Sequence, residues 1–110
     1  MTLTRNFKET IQERAQNDVE FRRTLLKESV QCMLDGDIDT GKAVLRDYIN
    51  STIGFKRLSK ITDKPAKSLM RMFGPKGNPQ AKNLFEVIAC LQKQEHIDLT
   101  VGEQSVSSHI

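Results

Sequence analysis

The stretch FKRLSKITDKPAKSLMRMF, from Phe55 to Phe73, decides the fold of this chain. Apolar residues recur at helical spacing on both sides of a short TDKPAK segment, which leaves room only for a tight turn. Pro65 favours the start of the second helix, because its fixed φ suits a first turn that does not need its missing amide donor. The stretch therefore predicts a helix-turn-helix. Its expected inward-facing residues are Leu58, Ile61, Leu69, Met72 and Phe73.

The outer side of the second helix is expected to carry side chains suited to the major groove of DNA. An α-helix fits that groove, and residues near its N-terminal end reach base edges. Arg71 and Lys67 can donate to guanine O6 and N7, Arg71 in bidentate fashion. Ser68 can bond a base or a phosphate, while Ala66 and Met70 can pack on thymine methyl groups. We therefore predict that these five residues contact bases.

Phosphate contacts are predicted on both sides of this helix. Two cations open the first helix and one lies in the turn. Asn78 and the amides at the start of the following helix form a second clamp, helped by nearby lysines. The predicted phosphate contacts are Lys56, Arg57, Lys64, Lys76, Asn78 and Lys82.

The charge of the chain is concentrated in this region. Residues 54–95 hold nine cations and three anions, a net charge of +6. Residues 1–53 carry a net −1 and residues 96–110 a net −2, so the whole chain is +3. A basic module in a near-neutral frame indicates a polyanionic partner, double-stranded DNA. The alternative is an ordinary helical pair with a solvated basic face that serves protein interaction, because this geometry alone is not specific to DNA.

Apolar residues at helical spacing predict three helices before the helix-turn-helix. Asn17 and Glu20 have the spacing of a capping box for the second of them, which Gly36 ends. Asp39 or Thr40 is expected to cap the third, which ends before Gly54. The apolar positions of the three helices are Phe7, Ile11 and Ala15; Phe21, Leu25, Leu26, Val30, Met33 and Leu34; and Val44, Leu45, Tyr48, Ile49 and Ile53.

Asn78 as a cap and Pro79 as a first residue predict a longer last helix. Its apolar stripe is Ala81, Leu84, Phe85, Ile88 and Leu91. The alternating residues Ile97, Leu99 and Val101 predict one short C-terminal strand. We therefore expect one all-α domain, a helix-turn-helix bundle of about five helices. Its parts are N-terminal helices for core completion or dimerisation (1–53), the DNA-binding module (54–95), and a short strand with a flexible tail (96–110).

Three further patterns resemble ligand loops, and each departs from its motif at a decisive position. GDIDTGKA, residues 36–43, matches a phosphate loop but has alanine where Ser or Thr binds magnesium. DGDIDTG has aspartates at alternate positions, yet Arg46 occupies the place of the calcium-binding glutamate. GPKG, residues 74–77, has the G-x-x-G of a KH module without the strands of one. None of the three ligands is expected.

Catalysis, metal binding and membrane insertion have no support in the sequence. His96 and His109 lie in or beside the tail without an acid-base partner, so we expect no enzyme and no cofactor. Cys32 and Cys90 match no metal spacing and are expected to be buried thiols of a reducing cytoplasm. No apolar run approaches the roughly 18 residues of a membrane span.

Leu58 to Leu91, LSKITDKPAKSLMRMFGPKGNPQAKNLFEVIACL, resembles the Cro/XRE-type helix-turn-helix. Leu58-Ser59 stands for the Leu-Ala of that pattern, Leu69 for its inward aliphatic residue, and Asn78-Pro79 for the opening of its next helix. Asp63 replaces the usual turn glycine, and Phe73 stands where the family often has Glu. The variant is more similar to the antidote proteins of addiction modules, the HigA-like antitoxins. Residues 25–55 also resemble the front end of such regulators.

The resemblance implies a dimer that binds DNA, represses its own operon and neutralises a small ribonuclease-type toxin. DNA-reading helices work in pairs about one helical turn apart, which implies a palindromic operator. The N-terminal helices carry apolar surface beyond what the helix-turn-helix needs. We therefore expect a homodimer held at least partly by these helices, with core completion as the alternative use of that surface.

Overall fold

The computed structural model describes residue 11 and residues 13–106. Residues 13–17 are helical, and residues 97–106 form neither helix nor strand. Between them lie α1 (Val19–Leu34), α2 (Ile38–Ser51), α3 (Phe55–Thr62), α4 (Ala66–Met72) and α5 (Ala81–Glu95). The predicted all-α fold is confirmed for the described residues. The expected apolar position Phe7 lies outside them.

Two glycines separate the first three helices, as predicted. Gly36 has φ 89° and Gly54 has φ 79°, in the left-handed region that side chains disfavour. The amide of Gly36 donates to the carbonyl of Met33 at 3.0 Å, and that of Gly54 donates to Ile49 at 2.7 Å. These bonds end α1 and α2 by using carbonyls that the helices leave unpaired.

The predicted N-caps of α1 and α2 are wrong by one to three residues. Asp18 caps α1 by accepting from the amide of Phe21 at 3.0 Å, while Asn17 belongs to the preceding helical segment. Asp37 caps α2, accepting from the amide of Thr40 at 3.2 Å. Each aspartate directly precedes its helix, and its side chain accepts from the N3 amide.

The start of α5 also differs from the prediction. Asn78 and Pro79 belong to an irregular segment, and α5 begins at Ala81. Gln80 occupies the cap position with extended φ and ψ (−66° and 146°) and makes no side-chain capping bond. The first amides of α5 are therefore left without a side-chain cap.

Close packing joins α1 to α2 at Gly41. A Cβ atom there would lie 2.6 Å from Cγ of Met33 and 2.9 Å from the carbonyl oxygen of Ser29. Ser29 is itself buried and donates its hydroxyl to the carbonyl of Leu26 at 2.7 Å. Only glycine allows the two backbones to approach this closely.

All five helices contribute to one buried apolar cluster. Several residues of α1 and the irregular C-terminal segment pack against it and are partly buried, among them Leu25, Val30, Met33, Ile97 and Leu99. Much of the apolar surface of α1 therefore completes the core. The cluster consists of Leu26, Leu45, Tyr48, Ile49, Phe55, Leu58, Leu69, Phe73, Leu84, Val87, Ile88 and Leu91.

Four residues predicted to face inward are exposed: Ile61, Phe85, Leu34 and Ala81. Successive residues of an α-helix turn by about 100°, so Phe85 lies a quarter turn or more from the buried line of α5. Val87, on the opposite side of that line, is buried although the sequence pattern did not include it. Ile61 lies about 120° from Phe55 around the axis of α3, and it is likewise outside the buried side of its helix.

A buried polar network joins α1, α2 and α5. Nε of Arg22 lies 2.8 Å from Oε1 of Glu95, and Nη2 lies 2.9 Å from Oε2. The hydroxyl of Tyr48 donates to the same carboxylate, and Nη1 of Arg22 donates to the carbonyl of Ala15 at 3.0 Å. The network therefore ties the helical segment before α1 to the end of α5.

Opposing effects act on the pKa of Glu95. Burial acts to raise it, but the hydrogen bonds from Arg22 and Tyr48 prevail and hold it below its usual value. Burial, followed by the hydrogen bond to Glu95, raises the pKa of Tyr48. Glu95 is therefore a charged anchor near neutral pH, with Tyr48 as its neutral donor.

The predicted C-terminal strand is wrong: residues 97–106 contain no strand. A strand needs a neighbour to pair with, and the described part of the chain offers none. Instead the amide of Leu99 donates to Oε1 of Gln92 at 2.7 Å, which holds the segment against α5. Val101 and Val106 are exposed. Among the described residues no helix is both long and apolar enough to cross a membrane.

Candidate nucleic-acid interface

The turn between α3 and α4 passes through a left-handed residue. Asp63 has φ 56° and ψ 37°. Aspartate tolerates this left-handed conformation better than most residues. The hydroxyl of Ser59 donates to the carbonyl of Lys64, and the amide of Lys64 donates back to Ser59 at 3.3 Å. Pro65 follows in an extended conformation and α4 begins at Ala66.

The inner side of α4 is fully used in packing. Leu58 and Leu69 have no exposed surface and Phe73 is 1% exposed. The ring centroids of Phe55 and Phe73 lie 6.2 Å apart and their planes are tilted by 44°. This distance is within the range in which aromatic rings attract each other. These contacts fix the rotation of α4 about its own axis, and thereby decide which side chains face outward.

The outer side of α4 carries the residues predicted to contact bases. Lys67, Ser68, Met70 and Arg71 are exposed, and Ala66 is half-buried. Met70 is 54% exposed, although it lies between the buried positions Leu69 and Phe73 in sequence. The outer face therefore combines cationic, hydroxyl and apolar groups over two turns.

Cations are exposed in α3, before α4, and in the part of the chain that follows α4. Lys56 and Arg57 are exposed in the first turn of α3. Lys76 and Asn78 are exposed in the segment between α4 and α5, and Lys82 is exposed in the first turn of α5. These five predicted phosphate contacts are accessible.

Lys64 differs from the other predicted phosphate contacts. Its ammonium lies 3.2 Å from Oδ1 of Asn83 and 3.1 Å from Oε2 of Glu86, both on α5. The side chain is 25% exposed and connects the turn to α5. Lys64 is thus already paired and supports the position of the turn.

A lysine that the sequence reading assigned to no functional site holds the loop after α4. Lys42 on α2 is 4% exposed, and its ammonium contacts the carbonyl oxygens of Gly74 at 3.3 Å and Gly77. It belongs to GDIDTGKA, whose glycine-lysine pair lies inside α2 and not in a phosphate loop. No local pattern signals this contact, which joins residues more than 30 positions apart.

Gly77 brings the same loop against the end of α4. A Cβ atom at this position would lie 2.2 Å from the carbonyl oxygen of Arg71 and 2.5 Å from that of Met72. Both atoms belong to the backbone and cannot move aside cheaply. The G-x-x-G pattern therefore reflects a close backbone approach.

The described residues contain no group of three or more His, Cys, Asp or Glu side chains that could hold a metal ion. Cys32 and Cys90 are free thiols and are half-buried. Burial raises the pKa of the Cys90 thiol. A polar cleft of about 310 Å³ lies beside the Arg22–Tyr48–Glu95 network, whose groups bond to one another.

Comparison of this chain with protein-family models, with curated proteins and with solved structures finds no match.

Proposed function

We propose that this chain is a sequence-specific regulator of transcription that binds double-stranded DNA with α4 in the major groove. The observation that carries the proposal is the division of α4 into two sides. Leu69 and Phe73 hold it against the core, while Lys67, Ser68, Met70 and Arg71 are free on the outside. A rigid helix with an accessible cationic face is the form that reads base edges in helix-turn-helix proteins.

Different side chains have different tasks in this proposal. Arg71 and Lys67 donate to guanine edges, and Met70 packs against a thymine methyl group. Base contacts of this kind determine sequence preference. Their number is small, which is usual for one recognition helix.

The surrounding cations position the protein on the duplex without reading sequence. Lys56 and Arg57 meet one stretch of backbone, and Lys76, Asn78 and Lys82 meet another. Lys64 is assigned to the support of the turn, because Asn83 and Glu86 already bind its ammonium. The net charge of +6 over residues 54–95 favours association with any duplex.

The resemblance to addiction-module antidote proteins extends the proposal to an antitoxin that represses its own operon as a homodimer. That role would be supported if a neighbouring reading frame encodes a small basic protein and this protein co-purifies with the chain. If no such frame exists, the antitoxin role is unsupported, and the DNA-binding proposal rests only on the outer face of α4.

Titration of a labelled duplex from the protein's own promoter at several salt concentrations tests the proposal. Four cationic phosphate contacts per protomer predict that log K falls with log salt with a slope of about −4 per protomer. An unrelated duplex of equal length serves as the control, and the promoter duplex is expected to bind more tightly. A flat salt response, or no binding at low salt, would favour the alternative of a protein-interaction module.

A further inference from the structure

The ammonium of Lys42 is a buried charge held by backbone carbonyls. The side chain is 5% exposed, and the nearest carboxylate oxygen, Oδ1 of Asp39, lies 3.8 Å away on a residue that is 92% exposed. Burial of a charge is costly unless hydrogen bonds compensate for it. The carbonyls of Gly74 and Gly77 supply that compensation. Lys42 and the loop of residues 74–77 therefore stabilise each other.

This loop presents two of the residues proposed to meet phosphates. Lys76 lies between the two glycines whose carbonyls accept from Lys42, and Asn78 follows directly. On its other side the loop contacts the end of α4, where Gly77 leaves no room for a Cβ atom. The loop is thus held between α2 and the recognition helix.

We propose that Lys42 is a positioning residue for DNA binding. Its ammonium holds residues 74–77 so that Lys76 and Asn78 lie beside α4 before the duplex arrives. The inference rests on the proposed function. A loop that is ordered in advance loses less conformational entropy on binding than a free one, and the difference appears as affinity.

The test compares Lys42→Met with the wild-type protein. Methionine keeps an unbranched side chain of similar length but removes the ammonium, so the loop loses its anchor on α2. We expect affinity to fall about tenfold on promoter and random duplexes alike, since phosphate contacts carry no sequence information. The salt slope is expected to decrease by about one. Lys93→Met, at an exposed position of α5 that is assigned to no contact, removes the same charge and is the matched control.

A double-mutant cycle separates positioning from a general effect of charge or stability. If Lys42 acts through Lys76, the two substitutions are not additive, and Lys42→Met costs little in a Lys76→Met background. Additive losses in the cycle, or unchanged affinity and slope in Lys42→Met, would overturn the inference. Should Lys42→Met fail to fold, Lys42→Gln, whose side chain is uncharged and shorter, takes its place in the same cycle with Lys76→Met.

Hydrogen exchange at the Gly77 amide tests the anchor without DNA. This amide donates to the carbonyl of Gly74 at 3.0 Å within the held loop. We expect its exchange to be faster in Lys42→Met and unchanged in Lys93→Met. Unchanged exchange in Lys42→Met refutes the anchor, whereas a wild-type protein that binds no duplex refutes the proposed function. The two failures are therefore distinguishable.

Discussion

Replacement of Glu95 by glutamine tests the buried network that joins the two halves of the chain. Glutamine keeps the size of the side chain and can still accept from Tyr48, but it removes the charge that Arg22 faces. Loss of one partner from a buried ion pair costs about 3–5 kcal/mol. The side chain of Arg22 is 23% exposed, against 5% for Glu95, so water compensates for part of the loss. We therefore expect about 3 kcal/mol.

Thermal and urea unfolding measure this loss. For a domain of this size about 3 kcal/mol corresponds to a fall in Tm of about 12 °C. Glu86→Gln is the control, because Glu86 also pairs with a cation, Lys64, but is 44% exposed. That surface pair is expected to contribute at most about 1 kcal/mol. Equal shifts in Tm for the two variants would refute the assignment of Glu95 as a structural anchor.

The pH dependence of stability gives an independent check on the same residue. The pKa of Glu95 is lower in the folded protein than its ordinary 4.5, because the bonds from Arg22 and Tyr48 outweigh burial. A lowered folded pKa contributes stability that is present above 4.5 and is lost as the pH falls through the folded value. The difference in unfolding free energy between wild type and Glu95→Gln should therefore shrink below pH 4.5. A difference that stays constant to pH 3 would contradict this account.

Three further outcomes are expected. Arg71→Ala should cost about 1–3 kcal/mol of binding free energy on the specific site alone, whereas Lys82→Ala should weaken binding to all duplexes equally. If the two variants behave alike, α4 is not the recognition helix. Asp63→Gly should raise the unfolding free energy by up to about 1 kcal/mol, because a side chain at φ 56° strains the backbone and glycine does not. A lower Tm of this variant would show that Asp63 is not strained. Sedimentation should show a homodimer, and Leu34→Glu should weaken it, because Leu34 is 61% exposed on α1. If Phe85→Glu alone breaks the dimer, the interface lies on α5 and not on α1.

The two short helices α3 and α4 were predictable because their signals are local. Pro65 and the spacing of Leu58 and Leu69 define two short helices and the turn between them. The structure places both leucines in the core and leaves the outer residues of α4 exposed. Asp63 has the left-handed conformation that glycine adopts most readily. A pattern of a few residues therefore suffices for this part of the site.

Residues whose environment depends on distant parts of the chain were not predictable. The partners of Lys42 lie more than 30 residues away, and Glu95 bonds to Arg22 across 73 positions. A lysine or glutamate on a helix is by default solvated, so neither contact leaves a signal in the local pattern. Ile61 and Phe85 were wrongly expected to face inward for a related reason, because the local pattern does not show which apolar residues at the edge of a helix face are covered by other elements.

Mapping of a duplex onto the protein by amide NMR shifts tests most directly the claim that this face binds DNA. Uniformly labelled protein is titrated with the promoter duplex, and the shifted amides are assigned. We predict that the largest shifts occur at residues 56–57, 66–71 and 76–82, with little change in α1. Shifts concentrated in α1 and the α1–α2 turn, or no shifts at low salt, would contradict the claim.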